Sequence, residues 1–314
     1  HLPTSADAHH PFRQDTDFHY LTGIDQEDCV LWLFPDAPAE EYREVLFIRR
    51  TNPDIQVWEG WKYSPEEATA TSGIQDVRYV DAWDTFFLRA LGFVQGLYLD
   101  FNEHHRNSLY YPGPAHRFAH RLQREYPGHT IHRAAPILYA LRMVKEPEEL
   151  MQLQKACDIT EAGFRALLAG LKPGMMEYEA EAILQYEWMK RGADGPAYTP
   201  ILAGGKNACV LHYTLNSQEL KDGDLMLMDA GCAYGGYSSD LTRTVPVNGR
   251  YTQRQRQLYD KVLEMKDYAT SLLVPGANLY DYHKQVGDYA TEVLLGLGLL
   301  TQQQVDEASA RWPA

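Results

Sequence analysis

Apolar positions in the first part of the chain come in short, punctuated runs. Cys29-Val-Leu-Trp-Leu-Phe34 and Glu44-Val-Leu-Phe-Ile48 read as strands joined through Pro35-Asp-Ala-Pro38, and Gly96-Leu-Tyr-Leu-Asp100 reads as another. Between them Asp81-Ala-Trp-Asp-Thr-Phe-Phe-Leu-Arg-Ala-Leu91 predicts a helix, so this part is mixed α/β. The period then lengthens. Leu150, Leu153, Cys157, Phe164, Leu167, Leu168 and Leu171 trace a helical stripe. Pro147 opens it where a missing N–H costs nothing, and Glu148 and Glu149 favour the positive end of the helix dipole. The boundary at Leu141-Arg-Met-Val-Lys-Glu-Pro147 gives two expected domains, 1–143 and 144–314.

The second domain echoes itself. Leu171-Lys-Pro-Gly-Met-Met-Glu-Tyr-Glu179 ends one helix and starts the next, and Leu273-Val-Pro-Gly-Ala-Asn-Leu-Tyr-Asp281 does the same 102 residues later. A capping box, Thr252 with Gln255, opens the helix before the second copy. The pattern implies a duplicated unit of two helices followed by strands, with the strands of the second copy absent before Ala314.

The run Leu225-Met-Leu-Met-Asp229-Ala-Gly-Cys-Ala-Tyr-Gly235-Gly236-Tyr-Ser-Ser-Asp240 concentrates the chemistry. Gly235-Gly236 between two tyrosines signals a two-residue hairpin, because a type I′ turn needs positive φ at both central positions. Tyr234 then pairs with Tyr237, Gly231 with Asp240, and Asp229 with Thr242. Asp229 and Asp240 become diagonal neighbours on one face, with Cα atoms roughly 7–8 Å apart. A turn one residue longer would send them to opposite faces. Leu225 to Met228 leave no polar face on the strand, so two buried carboxylates are expected, and burying both without a cation is costly. That separation suits two carboxylates gripping one ion or a close pair of ions. The competing reading is a pair of solvated or turn-capping aspartates.

Composition narrows the partners. The chain has 314 residues, 45% hydrophobic and 23% charged, with a net charge of -14. Such an acidic balance argues against nucleic acid or an anionic membrane as partner. No apolar run approaches membrane-spanning length, and no signal peptide is visible in these residues. Cys29, Cys157, Cys209 and Cys232 are scattered, which fits a reducing, cytoplasmic setting. The chain begins at His1 rather than Met, so the true amino terminus is expected to lie upstream.

Other candidates are weaker. His212, in Val210-Leu-His-Tyr213, is read as a lone imidazole on an apolar strand, either a hydrogen-bonded core residue or a catalytic group beside Asp229. His116 and His120 have metal-ligand spacing, but Arg117, Arg121 and Arg124 make a solvated basic face the better reading. His104-His105 reads as surface. Gly204-Gly205-Lys206 lacks the rest of a phosphate loop and reads as a turn.

Taken together, Met228-Asp-Ala-Gly-Cys-Ala-Tyr-Gly-Gly-Tyr-Ser-Ser-Asp-Leu-Thr-Arg-Thr-Val-Pro-Val-Asn-Gly249 closely resembles the metal-binding hairpin of aminopeptidase P, one of the pita-bread metallopeptidases. Leu211-His-Tyr-Thr214, Arg191-Gly-Ala-Asp194 and Pro11-Phe-Arg-Gln-Asp-Thr-Asp-Phe-His-Tyr-Leu-Thr-Gly23 extend the likeness over nearly the whole chain. The resemblance implies a creatinase-like α/β amino-terminal domain followed by a pseudo-twofold α/β pita-bread domain, here incomplete. It implies that Asp229 and Asp240 ligate a dinuclear site, with Asp240 bridging two Mn²⁺ ions; Zn²⁺ and Co²⁺ also suit such ligands. His212 matches the family histidine that positions substrate and stabilises the transition state. Asp7 and Trp58 fall where tetrameric relatives approach a neighbouring subunit's site, which implies a homo-oligomer, dimer or tetramer.

The family completes its site with a His-x-x-x-His-x-x-Gly type segment and two later glutamates, and none is present here. After Asp240 the only histidine is His283, on a predicted helix. Either more chain follows Ala314 in the parent protein, the favoured reading, or this is a shortened, inactive form. These residues alone are expected to bind metal weakly and to be inactive. The implied reaction is hydrolysis of the bond between a peptide's first residue and a proline in second position, by a water that two metals activate. The alternatives are a prolidase cleaving Xaa-Pro dipeptides and a non-catalytic pita-bread peptide-binding protein.

Overall fold

The apolar runs of the first part do become strands. A computed structural model describes residues 5, 10–101, 103 and 112–311. The chain divides into two compact units, His1–Leu150 and Met151–Ala314. The first unit runs α1 (Thr16–Thr22), β1 (Val30–Leu33), β2 (Glu44–Ile48), α2 (Pro53–Glu59), α3 (Pro65–Ser72), β3 (Val77–Tyr79), α4 (Trp83–Leu91), β4 (Gly96–Leu99), α5 (Pro114–Glu125), β5 (Thr130–Arg133) and α6 (Ala135–Met143).

Strands β1 and β2 pair antiparallel, β3 joins β2 in parallel, and β4 and β5 form a parallel pair. Val45, Phe47, Trp32, Phe86 and Phe87 share one core, where aromatic rings meet mostly edge to face. Helices α2 and α3 start alike, with Asn52 or Ser64 accepting a backbone N–H and a proline in the first turn. The side chain of Glu27, 7% exposed, meets Lys62 at 2.6 Å and Arg49 at 2.7 Å.

In the second part α7 (Pro147–Gly170) and α8 (Glu177–Lys190) are followed by β6 (Gly195–Pro196), β7 (Ile201–Gly204), β8 (Leu225–Ala230), β9 (Cys232–Tyr234), β10 (Tyr237–Ser238) and β11 (Leu241–Pro246). Then come α9 (Gln253–Ser271), α10 (Leu279–Gly296) and α11 (Gln302–Arg311). Pro147 opens α7 as the sequence predicts, and Thr252 and Gln255 form the expected capping box at α9. The two Pro-Gly turns share one backbone shape, with φ of +87° at Gly174 and +85° at Gly276. Each supports the positive φ that only glycine adopts freely.

Strand β8 lies between β7 and β11, antiparallel to both. Its side chains alternate: Met226, Met228 and Ala230 are buried against Phe164 and Leu167 of α7 and Leu184 and Trp188 of α8. Leu225, Leu227 and Asp229 point the other way. Among the described residues, no helix is long and apolar enough to cross a membrane.

Candidate metal centre

The hairpin forms in the predicted register. Tyr237 pairs with Tyr234, Thr242 pairs with Asp229, and φ is +57° at Gly235 and +79° at Gly236, as a type I′ turn requires. The ladder is interrupted between Ala230 and Cys232, where Gly231 packs against the Ser239 carbonyl. Pairing resumes beyond the break without a slip, which keeps Asp229 and Asp240 on the same face.

Buried hydroxyls fix the break. Thr160 Oγ1 on α7 lies 2.7 Å from Ser239 Oγ, and the Cys232 N–H donates to both, at 3.0 and 3.1 Å. Ser239 N–H in turn donates to the Cys232 carbonyl at 3.0 Å. Burial pushes the Cys232 thiol up from its ordinary pKa, so it serves here as a packed neutral group.

Tyr198, from Pro196-Ala-Tyr-Thr-Pro200, is the residue that sequence reasoning missed. Strand β6 pairs with β9, and the Ala197 N–H donates to the Gly231 carbonyl at 2.8 Å. That anchorage carries Tyr198 over the hairpin. Its phenol contacts Oδ1 of Asp229 at 2.6 Å and Oδ1 of Asp240 at 3.0 Å. A phenol has one hydrogen, so the two contacts divide it, and the shorter marks Asp229 as the main acceptor. Burial, and then the hydrogen bonds to the two carboxylates, push the Tyr198 pKa well above its ordinary value. The phenol therefore stays protonated as a donor.

Two expectations need correction. The carboxylates are not both buried: Asp229 is half-buried and Asp240 is exposed. Strand β8 buries only alternate residues, and β11 is an edge strand whose Thr242 and Arg243 are also exposed. His212 is not on a strand. It lies, exposed, in a turn just after the short 3₁₀ helix Gly205–Cys209.

The loop bearing His212 is held by side chains rather than by a neighbouring strand. Glu177, fully buried at the first position of α8, accepts hydrogen bonds from Gly204 N, Asn207 Nδ2, Tyr213 Oη and Gln218 N at 2.7 to 3.2 Å. The helix dipole adds to this stabilisation of the charge. Asn216, 1% exposed and at φ +45°, accepts from Leu202 N and donates to Pro200 O and Glu181. Neither residue carries a motif; their partners are distant in sequence.

Asp229 and Asp240 suit a divalent cation: two hard oxygen donors converge on one point and share a single hydrogen there. Among the described residues no third His, Cys, Asp or Glu joins them in a metal-sized cluster. The one such cluster, Asp15, Asp17 and Asp100, already serves other bonds: Asp15 caps α1, and Asp17 pairs with Arg142. Trp58 lies on α2 with 88% of its surface exposed. Asp7 and His104-His105 lie outside the described residues. His116 and His120 are on α5 with the three arginines, and Gly205 starts the 3₁₀ turn at φ +52°.

Comparison with known proteins points the same way. Residues 151–308 match the sequence profile of metallopeptidase family M24, and residues 1–97 match that of the aminopeptidase P N-terminal domain. An Xaa-Pro aminopeptidase of Escherichia coli is 34% identical, over 98% of this chain and 69% of the relative. One of Haemophilus influenzae is 33% identical, over 94% of this chain and 66% of the relative. A solved structure of zinc-substituted E. coli aminopeptidase P in complex with product superposes with a TM-score of 0.85 at 32% identity, covering 99% of this chain and 70% of that one. The chain thus spans about two thirds of the length of these relatives.

Proposed function

The chain belongs to the aminopeptidase P family of M24 metallopeptidases, and from that premise we propose that it serves a metal-dependent aminopeptidase that hydrolyses the bond between the first residue of a peptide and a proline in second position. The observation that carries this reading is the convergence of Asp229 and Asp240 on one phenol, on one face of a hairpin whose register is fixed by Gly235-Gly236. Bound divalent ions supply Lewis acidity and a water that is nucleophilic at neutral pH. Asp229 and Asp240 would hold such ions, manganese in this reading, with zinc or cobalt as substitutes. Tyr198 orients the carboxylates, and His212 offers an imidazole N–H to the substrate's carbonyl oxygen as charge develops there.

The same reading makes the protein a cytoplasmic homo-oligomer, with Asp7 and Trp58 near a neighbouring subunit's site. Its support is the exposure of Trp58 beside exposed Val57 and the four unpaired cysteines. The test is release of the first residue from an Xaa-Pro-Xaa tripeptide with Mn²⁺, by the full-length protein and by its Asp229→Asn variant. Turnover that the substitution abolishes supports the proposal. Cleavage of an Xaa-Pro dipeptide but not the tripeptide would replace it with a prolidase. Stoichiometric Mn²⁺ binding without turnover of either peptide would leave a binding protein.

A further inference from the structure

Two carboxylates on one face of a hairpin repel when no cation lies between them. Here neither has a lysine or arginine as an ion-pair partner within the described residues, and the group found between them is neutral. Tyr198 reaches both Oδ1 atoms from a segment that is itself bonded to the hairpin through Ala197 N–H and the β6–β9 pairing. The phenol therefore moves with the hairpin backbone. We infer that Tyr198 is a positioning residue for the metal ligands, a clasp that holds Asp229 and Asp240 convergent before any ion arrives.

This inference rests on the reading of Asp229 and Asp240 as metal ligands only for its consequence, not for the clasp itself. Without the phenol, repulsion turns the exposed Asp240 outward, and an incoming ion must first bring it back. Residues that hold ligands in place typically contribute 10–100-fold to metal affinity. The same hydrogen bond also offsets carboxylate repulsion in the metal-free protein.

The experiment is a double-mutant cycle read in two ways. Tyr198→Phe removes the hydrogen and keeps the ring; Asp240→Asn removes one of the two charges. In the metal-free protein, thermal melting should show a loss on Tyr198→Phe that is smaller in the Asp240→Asn background, where only the hydrogen bond to Asp229 is left to lose. Equal losses in both backgrounds would mean that the phenol bonds Asp229 alone and does not hold the pair together, and would overturn the inference. Should Tyr198→Phe alone fail to fold, Asp240→Asn added to it must restore folding; failure to restore it would overturn the inference as well.

The second reading is Mn²⁺ titration of the full-length protein by calorimetry, with Tyr198→Phe expected to weaken binding by roughly 10–100-fold. Unchanged affinity, alongside loss of binding in Asp229→Asn, would overturn the clasp while leaving the metal site intact. A wild type that binds no Mn²⁺ would remove the metal reading, and the metal-free cycle would still decide on Tyr198.

Discussion

Gly231 lies so close to Ser239 that a Cβ on Gly231 would sit 1.9 Å from the Ser239 carbonyl oxygen. No side chain gives way there, because the contact is with backbone. Gly231→Ala must push the two strands apart at the point where the ladder is already interrupted. The expected cost is about 3 kcal/mol, at the upper end for overpacking, with Asp240 displaced from Asp229. Urea denaturation checks it, and a midpoint equal to that of the wild type would contradict this account of the break.

Glu177 is a buried carboxylate with four donors aimed at it. Glu177→Gln turns one acceptor into an NH₂ that faces those donors, leaving at least one buried N–H without a partner. A loss of about 2–4 kcal/mol follows from the value of hydrogen bonds to charged groups. The damage should be local first: hydrogen exchange and limited proteolysis should speed up between residues 205 and 218, the loop that carries His212. Uniform loosening over the whole chain would instead show that Glu177 supports the fold generally.

Glu27 gives the fold a pH dependence with a definite sign. Burial acts to raise its pKa, but the hydrogen bond from Lys62, a backbone hydrogen bond, the Lys62 charge and the Arg49 hydrogen bond together outweigh it and hold the carboxyl below its ordinary value. A lowered folded pKa contributes stability that is fully present above the unfolded value, about 4.3, and is lost as pH falls through the folded one. Glu27→Gln, which leaves Lys62 buried without its counter-charge, should cost about 3 kcal/mol at neutral pH. The gap from wild type should close below about pH 4. Stability curves for both proteins across pH 3–7 (roughly the range spanning that value) would show it, and a gap that widens on acidification would contradict the assignment.

The backbone of the site was legible because its signals are local. Two glycines dictate the turn, and strict alternation then sets which residues face each other, so Asp229 and Thr242 pair as read. Pro147 and Thr252 marked helix starts for equally local reasons. What lay hidden depends on distant partners. Tyr198 is 31 residues from Asp229 and 42 from Asp240, and nothing in Pro-Ala-Tyr-Thr-Pro announces two carboxylates. The exposure of Asp240 follows from β11 lying at a sheet edge, which hydropathy does not encode. Val210-Leu-His-Tyr213 was misread as a strand because its apolar residues suggest burial, yet Leu211 is 88% exposed. Its loop is tied down by Glu177 and Asn216, not by strand pairing.

The twin turns at Gly174 and Gly276 also bear on how the chain reaches this structure. Each marks the same event, a helix ending and the next beginning, yet among the described residues only α7 and α8 cover the sheet face of Met226 and Met228. Internal repeats carry a hazard of pairing with the wrong copy. The first copy carries Thr160, whose hydroxyl meets Ser239 and Cys232. A single hydroxyl on α7 thereby ties that copy to the hairpin.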